Sequence, residues 1–142
     1  LKDKDTADAL FEIRDITDSP HDRIFYLQEL INRPPRDIRG ITDSDEAIAA
    51  MYRKSSGGFK TNIALGADPE LCEITKEIEE ISTKASKAMG GGILGIDIME
   101  DEKRGLVVHE VNNTVEFKGL ARVSRRNIPK EMVEFALNYV RK

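Results

Sequence analysis

The chain has 142 residues, with 22 basic and 26 acidic side chains and a formal net charge of −4. That length suits one domain with a real core, and the mild acidity argues against a general nucleic-acid surface. No apolar run reaches the roughly 18–20 residues of a membrane helix, and Leu1–Ala9 is too charged for a signal peptide. One cysteine, Cys72, excludes an internal disulfide framework and fits a reducing cytoplasm. With only two histidines beside it, the composition also argues against structural zinc. The chain opens without methionine inside what reads as a helix, which is the pattern of a fragment.

Asp5–Ile16 reads as a helix capped by Asp5 or Thr6, with Leu10, Phe11, Ile13 and Ile16 as its apolar stripe. Asp18-Ser19-Pro20-His21 breaks it. Ile24–Ile31 reads as a strand with Phe25, Leu27, Glu29 and Ile31 on one face. The polar Gln28 and Glu29 inside it mark either a wet edge or a contact of functional interest. A Pro-Pro pair stiffens Asn32–Arg36, and Asp37-Ile38-Arg39 opens another extended segment. Alternating Asp and Arg fits an exposed ion-paired face, worth at most about 1 kcal/mol. It equally fits an arginine aimed at a phosphate or carboxylate, where the planar fork binds two oxygens.

A turn at Asp43–Glu46 leads to a strand over Ala47–Arg53. Lys54–Lys60 has loop composition and precedes a short extended segment, Thr61–Gly66, containing Asn62. A glycine-containing loop of this kind can fold over phosphates, yet it lacks the Gly-Lys-Ser/Thr ending of a P-loop. An ordinary hairpin loop accounts for it as well. Thr75–Met89 predicts the clearest helix: Thr75 caps, glutamates lead, lysines follow and Gly90 stops it. Its buried stripe is expected at Ile78, Ile81, Ala85 and Ala88, with the glutamates solvated.

Gly90–Lys118 organises the rest. Two apolar runs, Ile93–Met99 and Leu106–Val111, flank a polar turn and predict a β-hairpin. With a Glu102–Gly105 loop, Asp97 falls opposite Glu110, while Glu110 and Asn112 share a face with Val108. Facing carboxylates repel and are costly to bury, whereas hard oxygen ligands of this type suit Mg²⁺. A solvated acidic face is the other reading. Lys118, Arg122, Arg125 and Arg126 then form a local basic cluster, either surface solvation or a site for an anion. A final helix is expected from Pro129 to Arg141.

Gln28-Glu29, Asp37-Ile38-Arg39, Thr61-Asn62 to Gly66, Gly95-Ile96-Asp97 and Glu110-Val111-Asn112, in this order, resemble the ATP-grasp superfamily. Within it the sequence is most similar to the RimK-like branch, and there to the LysX/ArgX ligases, through RPPRDIR, GGGILGIDIME and RGLVVHEVNNTVEFK. The resemblance implies an α+β fold, the C-terminal lobe of an ATP-grasp domain with a largely antiparallel sheet packed by helices. It places Leu1–Lys142 in that C-terminal part. The N-terminal lobe and the lysine-bearing, glycine-rich cover over ATP are expected before Leu1, so this piece is not expected to act alone.

The implied activity is an ADP-forming carboxylate–amine ligation through an acyl phosphate. It joins 2-aminoadipate or glutamate to the C-terminal glutamate of a small acidic carrier protein, LysW, in cytoplasmic lysine or arginine biosynthesis. A RimK-like glutamate ligase acting on a ribosomal protein or a pterin, and a non-catalytic nucleotide- or metal-binding fragment, are the alternatives. By the same resemblance Asp97, Glu110 and Asn112 hold Mg²⁺ or Mn²⁺, and Gln28, Glu29, Leu30, Ile31 and Asp37 serve the nucleotide ATP. Arg39, Arg53 and Asn62 line the phosphate and acyl-phosphate site, and Thr114, Glu116, Phe117 and Lys118 lie near the amino-acid substrate. ATP, an amino acid and the carrier are the expected partners, with neither nucleic acid nor membrane; a homo-oligomer is left open. No covalent nucleophile is required. Two departures stand out: His109 replaces the family's common asparagine or aspartate, and Gly40-Ile41-Thr42 predicts an irregular strand.

Overall fold

Five strands, β1 (Arg36–Asp43), β2 (Ala47–Lys54), β3 (Asp68–Leu71), β4 (Ile93–Asp101) and β5 (Gly105–Asn112), form one antiparallel sheet in the order β3-β2-β1-β4-β5. This is the α+β architecture expected. The computed structural model describes residues 3–17, 19–44, 46–54 and 68–141, so the expected extended segment Thr61–Gly66 lies outside the described residues. The chain divides into two compact units, Leu1–Leu30 and Ile31–Lys142.

In the first unit α1 spans Lys4–Asp15, and its cap is Asp3 rather than Asp5 or Thr6: Asp3 Oδ1 accepts from Thr6 N at 2.8 Å. A 3₁₀ turn follows at Pro20–Arg23, and Phe11 meets Phe25 edge-on with centroids 4.6 Å apart. The strand expected over Ile24–Ile31 does not form. A strand needs a hydrogen-bonded neighbour, and no described strand pairs with this segment. Its apolar side chains are not sequestered either, with Ile24, Tyr26, Leu27 and Leu30 all exposed.

In the second unit each sheet face has its own core. On one face α2 (Lys76–Ala88) covers Ile38, Ala50, Leu94, Ile96 and Ile98. Thr75 caps it as expected, its Oγ1 accepting from Ile78 N at 3.2 Å. Ile78 is buried and Ile81 and Ala85 pack half-buried against the same cluster, as expected, but Ala88 is exposed and the other fully buried positions are Ser82 and Ser86. Small serines let the helix lie close over Gly40, whose added Cβ would meet Ser82 Oγ at 3.5 Å. Glu79 is not merely solvated, since its Oε1 accepts from Ala47 N at 3.0 Å and ties α2 to β2.

On the other face α3 (Lys118–Val123), which was not expected, and α4 (Ile128–Val140) close over Ile41, Ala49 and Met51 with Leu120 and Ile128. Asn127 caps α4, which begins at Ile128, one residue before Pro129. β1 is irregular where expected, with a register shift between Ile41 and Thr42 against β2.

The β4–β5 hairpin turns on three residues, 102–104, with Asp101 paired to Gly105, whose φ is +75°. Asp101 Oδ1 accepts from Lys103 N at 2.9 Å and Arg104 N at 2.8 Å, and Arg104 Nη2 donates to Oδ2 at 3.0 Å. The Arg104 side chain, followed by the two backbone donors, holds the Asp101 carboxyl down at about 2 from an ordinary 3.8. A depressed carboxyl stabilises the folded state above its unfolded value and loses that effect as pH falls through the folded one. Asp101→Ala is therefore expected to lower the melting temperature of the full chain by a constant margin above about pH 4. Thermal scans should show that margin closing as pH falls toward the folded pKa of about 2.

Candidate functional site

The site grows from alternation along three neighbouring strands. Asp37 and Arg39 project from the same face of β1, the face shared with Ile41. Asp37 pairs across with Arg53 on β2, and Arg39 pairs across with Asp97 on β4. α3 and α4 cover the apolar part of this face, and the four charged residues continue it. Asp37, Arg53 and Asp97 are 4%, 7% and 5% exposed. Burial this deep separates the Asp-x-Arg segment from an exposed ion-paired strand face and leaves charges that need partners.

The partners are close. Arg53 Nε donates to Asp37 Oδ1 at 2.6 Å, and its Nη2 lies 3.2 Å from Asp97 Oδ1. Arg39 Nε lies 2.6 Å from Asp97 Oδ1, and its Nη2 donates to Oδ2 at 3.1 Å. Despite these approaches no N–H is aligned on Asp97 Oδ1, which is buried without a hydrogen bond. Gly95 makes the arrangement possible: a Cβ there would sit 2.6 Å from Arg39 Nη1.

Burial pushes the Asp97 carboxyl up, against the pull of Arg53 and Arg39. Burial also works against the charge on Arg53, but the hydrogen bond to Asp37 and the field of both aspartates outweigh it and raise its pKa. Arg39 is less well compensated, and burial leaves its pKa lowered.

Asp97 faces Glu110, as the hairpin pattern predicts, but by a different route. The turn is one residue shorter than expected, and a bulge between Asp97 and Ile98 restores the pairing by leaving His109 unpaired. The bulge also corrects the face assignment: Val108 pairs with Ile98, so it does not share a face with Glu110. Asn112 pairs with Gly95 on the Asp97 face and lines a cleft of about 400 Å³ with Met89, Leu94, Val111 and Asn113. Glu110 is exposed and Asn112 half-buried.

Of the other expected site residues, Asn62 lies outside the described residues. Gln28, Glu29 and Leu30 belong to the first unit and Ile31 opens the second. Thr114, Glu116 and Lys118 are exposed, beyond β5 or at the start of α3. Phe117 precedes α3 and packs with Val115 against the Ile41 cluster. In the basic cluster, Arg126 is held by Glu46 at 3.2 Å and Glu131 at 2.9 Å. Sequence reasoning did not single out the Arg53–Asp37 pairing or Gly95. The hairpin between β1 and β2 did not carry the first by itself, since a Thr42–Ala47 closure alone sets Asp37 against Tyr52 and the register shift beyond Ile41 moves it to Arg53.

Comparison with known proteins identifies the family. Residues 6–136 match the RimK-like ATP-grasp domain. The chain is 38% identical over 141 residues to the alpha-aminoadipate–LysW ligase LysX of Saccharolobus solfataricus, covering 97% of this chain and 51% of that protein. It is 42% identical over 120 residues to the tetrahydromethanopterin:alpha-L-glutamate ligase of Methanocaldococcus jannaschii, covering 82% and 41%. The chain thus spans about half the length of the curated relatives it matches. Among solved structures, the ATP-grasp ligase PsnB complexed with a minimal precursor variant, Mg and ADP superimposes with a TM-score of 0.61. Its sequence is 22% identical over 78% of this chain and 34% of that one, a likeness of fold. The chain belongs to the RimK-like ATP-grasp family.

Proposed function

We propose that the protein is an ATP-dependent, ADP-forming carboxylate–amine ligase, with residues 1–142 forming the C-terminal part of its ATP-grasp domain. The observation that carries this reading is the sheet face on which Asp97 meets both Arg39 and Arg53 and faces Glu110 across β4 and β5. Buried aspartate and arginine are costly in a merely structural role. In a protein that gathers phosphate oxygens they are what the chemistry needs.

The donor set fits a hard divalent cation: Asp97 Oδ1 is buried without an aligned donor, and Glu110 and Asn112 add oxygens on the same face. Asp97, Glu110 and Asn112 would hold Mg²⁺ or Mn²⁺, which when bound neutralises phosphoryl oxygens as a Lewis acid. Arg39 and Arg53 bind and orient the transferring phosphoryl group and the acyl phosphate, with Asn62 as a further contact. Gln28, Glu29, Leu30, Ile31 and Asp37 serve the nucleotide, and Thr114, Glu116, Phe117 and Lys118 the amino acid. A carboxylate oxygen attacks the γ-phosphorus of ATP, breaking its bond to ADP. The amine nitrogen then attacks the acyl carbon, phosphate leaves, and the amine proton passes to solvent as the amide forms.

For the substrate we infer 2-aminoadipate or glutamate as the amine, joined to the C-terminal glutamate of a LysW-type carrier in lysine or arginine biosynthesis. Similarity to LysX over nearly the whole chain supports it. A second reading, glutamate addition to a pterin, is favoured by the 42% identity to the tetrahydromethanopterin ligase. The test offers the full-length protein Mg·ATP and each amino acid with either acceptor, following ADP release and acceptor mass. The expected result is ADP and a carrier heavier by one residue. Mass gain on the pterin alone shifts the assignment to the second reading, and ADP release with no acceptor or amine dependence overturns the ligase assignment.

A further inference from the structure

We propose that Arg39 and a divalent cation compete for Asp97, and that Gly95 is the positioning residue that lets Arg39 take the carboxylate. The inference rests on the reading of Asp97 as a metal ligand. Three observations lead to it. Arg39 reaches both oxygens of Asp97, at 2.6 Å and 3.1 Å, so the side of the carboxylate that faces β1 is occupied. The guanidinium gets there by lying across Gly95, in space that any Cβ would fill. The two arginines are also anchored differently. Arg53 has its own carboxylate, Asp37, at 2.6 Å, and touches Asp97 only secondarily at 3.2 Å. Among the described residues Arg39 has its ion pair with Asp97.

Arg39 is therefore the cation that can leave. A divalent ion between Asp97 and the facing Glu110 would bring a second positive charge against a partly buried guanidinium, and like charges at that range repel strongly. For the ion to settle, Arg39 must move off the carboxylate to another anion. A nucleotide phosphate supplies one. The arrangement makes the site a poor trap for free cations and a good one for a cation arriving with phosphates. Arg39 is then delivered to the phosphoryl group by the event that loads the metal.

The experiment is titration of the full-length protein with Mn²⁺ alone, without nucleotide, reading free Mn²⁺ by electron paramagnetic resonance. Arg39→Gln is expected to bind Mn²⁺ about tenfold tighter than the parent, since a like charge is removed at contact distance. Gly95→Ala, which pushes Arg39 off, should tighten binding as well, and the double variant should be no tighter than Arg39→Gln. If Gly95→Ala fails to fold, Arg39→Gln decides the competition, and folding restored in the double variant supports the role of Gly95. Unchanged or weaker binding by Arg39→Gln, with Asp97→Asn weaker than the parent, overturns the competition and leaves the metal assignment standing. Additive effects of the two substitutions overturn the role of Gly95. Asp97→Asn binding as well as the parent overturns the metal assignment itself, and the competition with it.

Discussion

Replacing Asp97 by asparagine in the full-length protein is expected to cut cation-dependent ADP formation by about 10²–10³-fold, the usual loss when one preorganised electrostatic contact is removed. Asparagine keeps the shape and one oxygen but drops the charge that faces Arg39, Arg53 and Glu110. The measurement is steady-state ADP release over a range of Mg²⁺ concentrations. A shift in cation requirement should accompany the fall in rate, because the same oxygen is proposed to serve both. Turnover within twofold of the parent would sink the metal assignment. The substitution also removes one of the two buried anions that balance the buried Arg53 and the partly buried Arg39. A circular dichroism melt must therefore be run beside the assay to separate lost chemistry from lost fold.

The second large effect is on stability. Asp37→Ala leaves the Arg53 guanidinium, 7% exposed, without the oxygen its Nε donates to. Breaking one partner out of a buried ion pair typically costs about 3–5 kcal/mol, because the remaining charge stays buried. Urea unfolding should report a loss of that order. The companion variant, Asp37→Leu with Arg53→Met, removes both charges and should recover most of the stability while leaving activity low. That pattern separates folding from function, since a pair kept only for stability can be replaced by apolar residues at little cost. A loss under about 1 kcal/mol for Asp37→Ala would mean the pair behaves as a solvated one.

The parts of this molecule that were readable from sequence are those governed by local rules. α2 announces itself through Thr75, its graded charges and Gly90, and it forms within a residue of those signals. The hairpin follows from two apolar runs around a polar turn, and α4 from Pro129 and its spacing. Rules that depend on a distant partner were not readable. Ile24–Ile31 has strand composition, but no described strand pairs with it. Ser82 and Ser86 look solvent-facing as residue types, yet the close seat of α2 on β1 buries them. The short β3 begins with Asp-Pro, which reads as a turn until β2 offers it an edge. At the site, an expected turn over Glu102–Gly105 put Asp97 opposite Glu110, and that pairing stands only because the bulge at His109 offsets a turn one residue shorter. That Arg39 and Arg53 both end on Asp97 depends on strand order, with β1 between β2 and β4, and a single sequence does not print that order.

His109 shows how much one extra residue can decide. Leu106 and Val111 both pack toward α2, although they stand five positions apart, an odd separation that an unbroken strand would send to opposite faces. The unpaired residue absorbs the difference in phase. Ahead of it the hairpin is in step with its turn; behind it the hairpin is in step with the site, so Val111 goes to the core and Glu110 to the charged face. What this position contributes is a count. Its side chain is exposed, so histidine, asparagine or aspartate can stand there with little effect on the carboxylate pair. Pairing it within the ladder instead would turn Glu110 inward and Val111 outward together, whereas deleting it would leave both on the faces they already occupy.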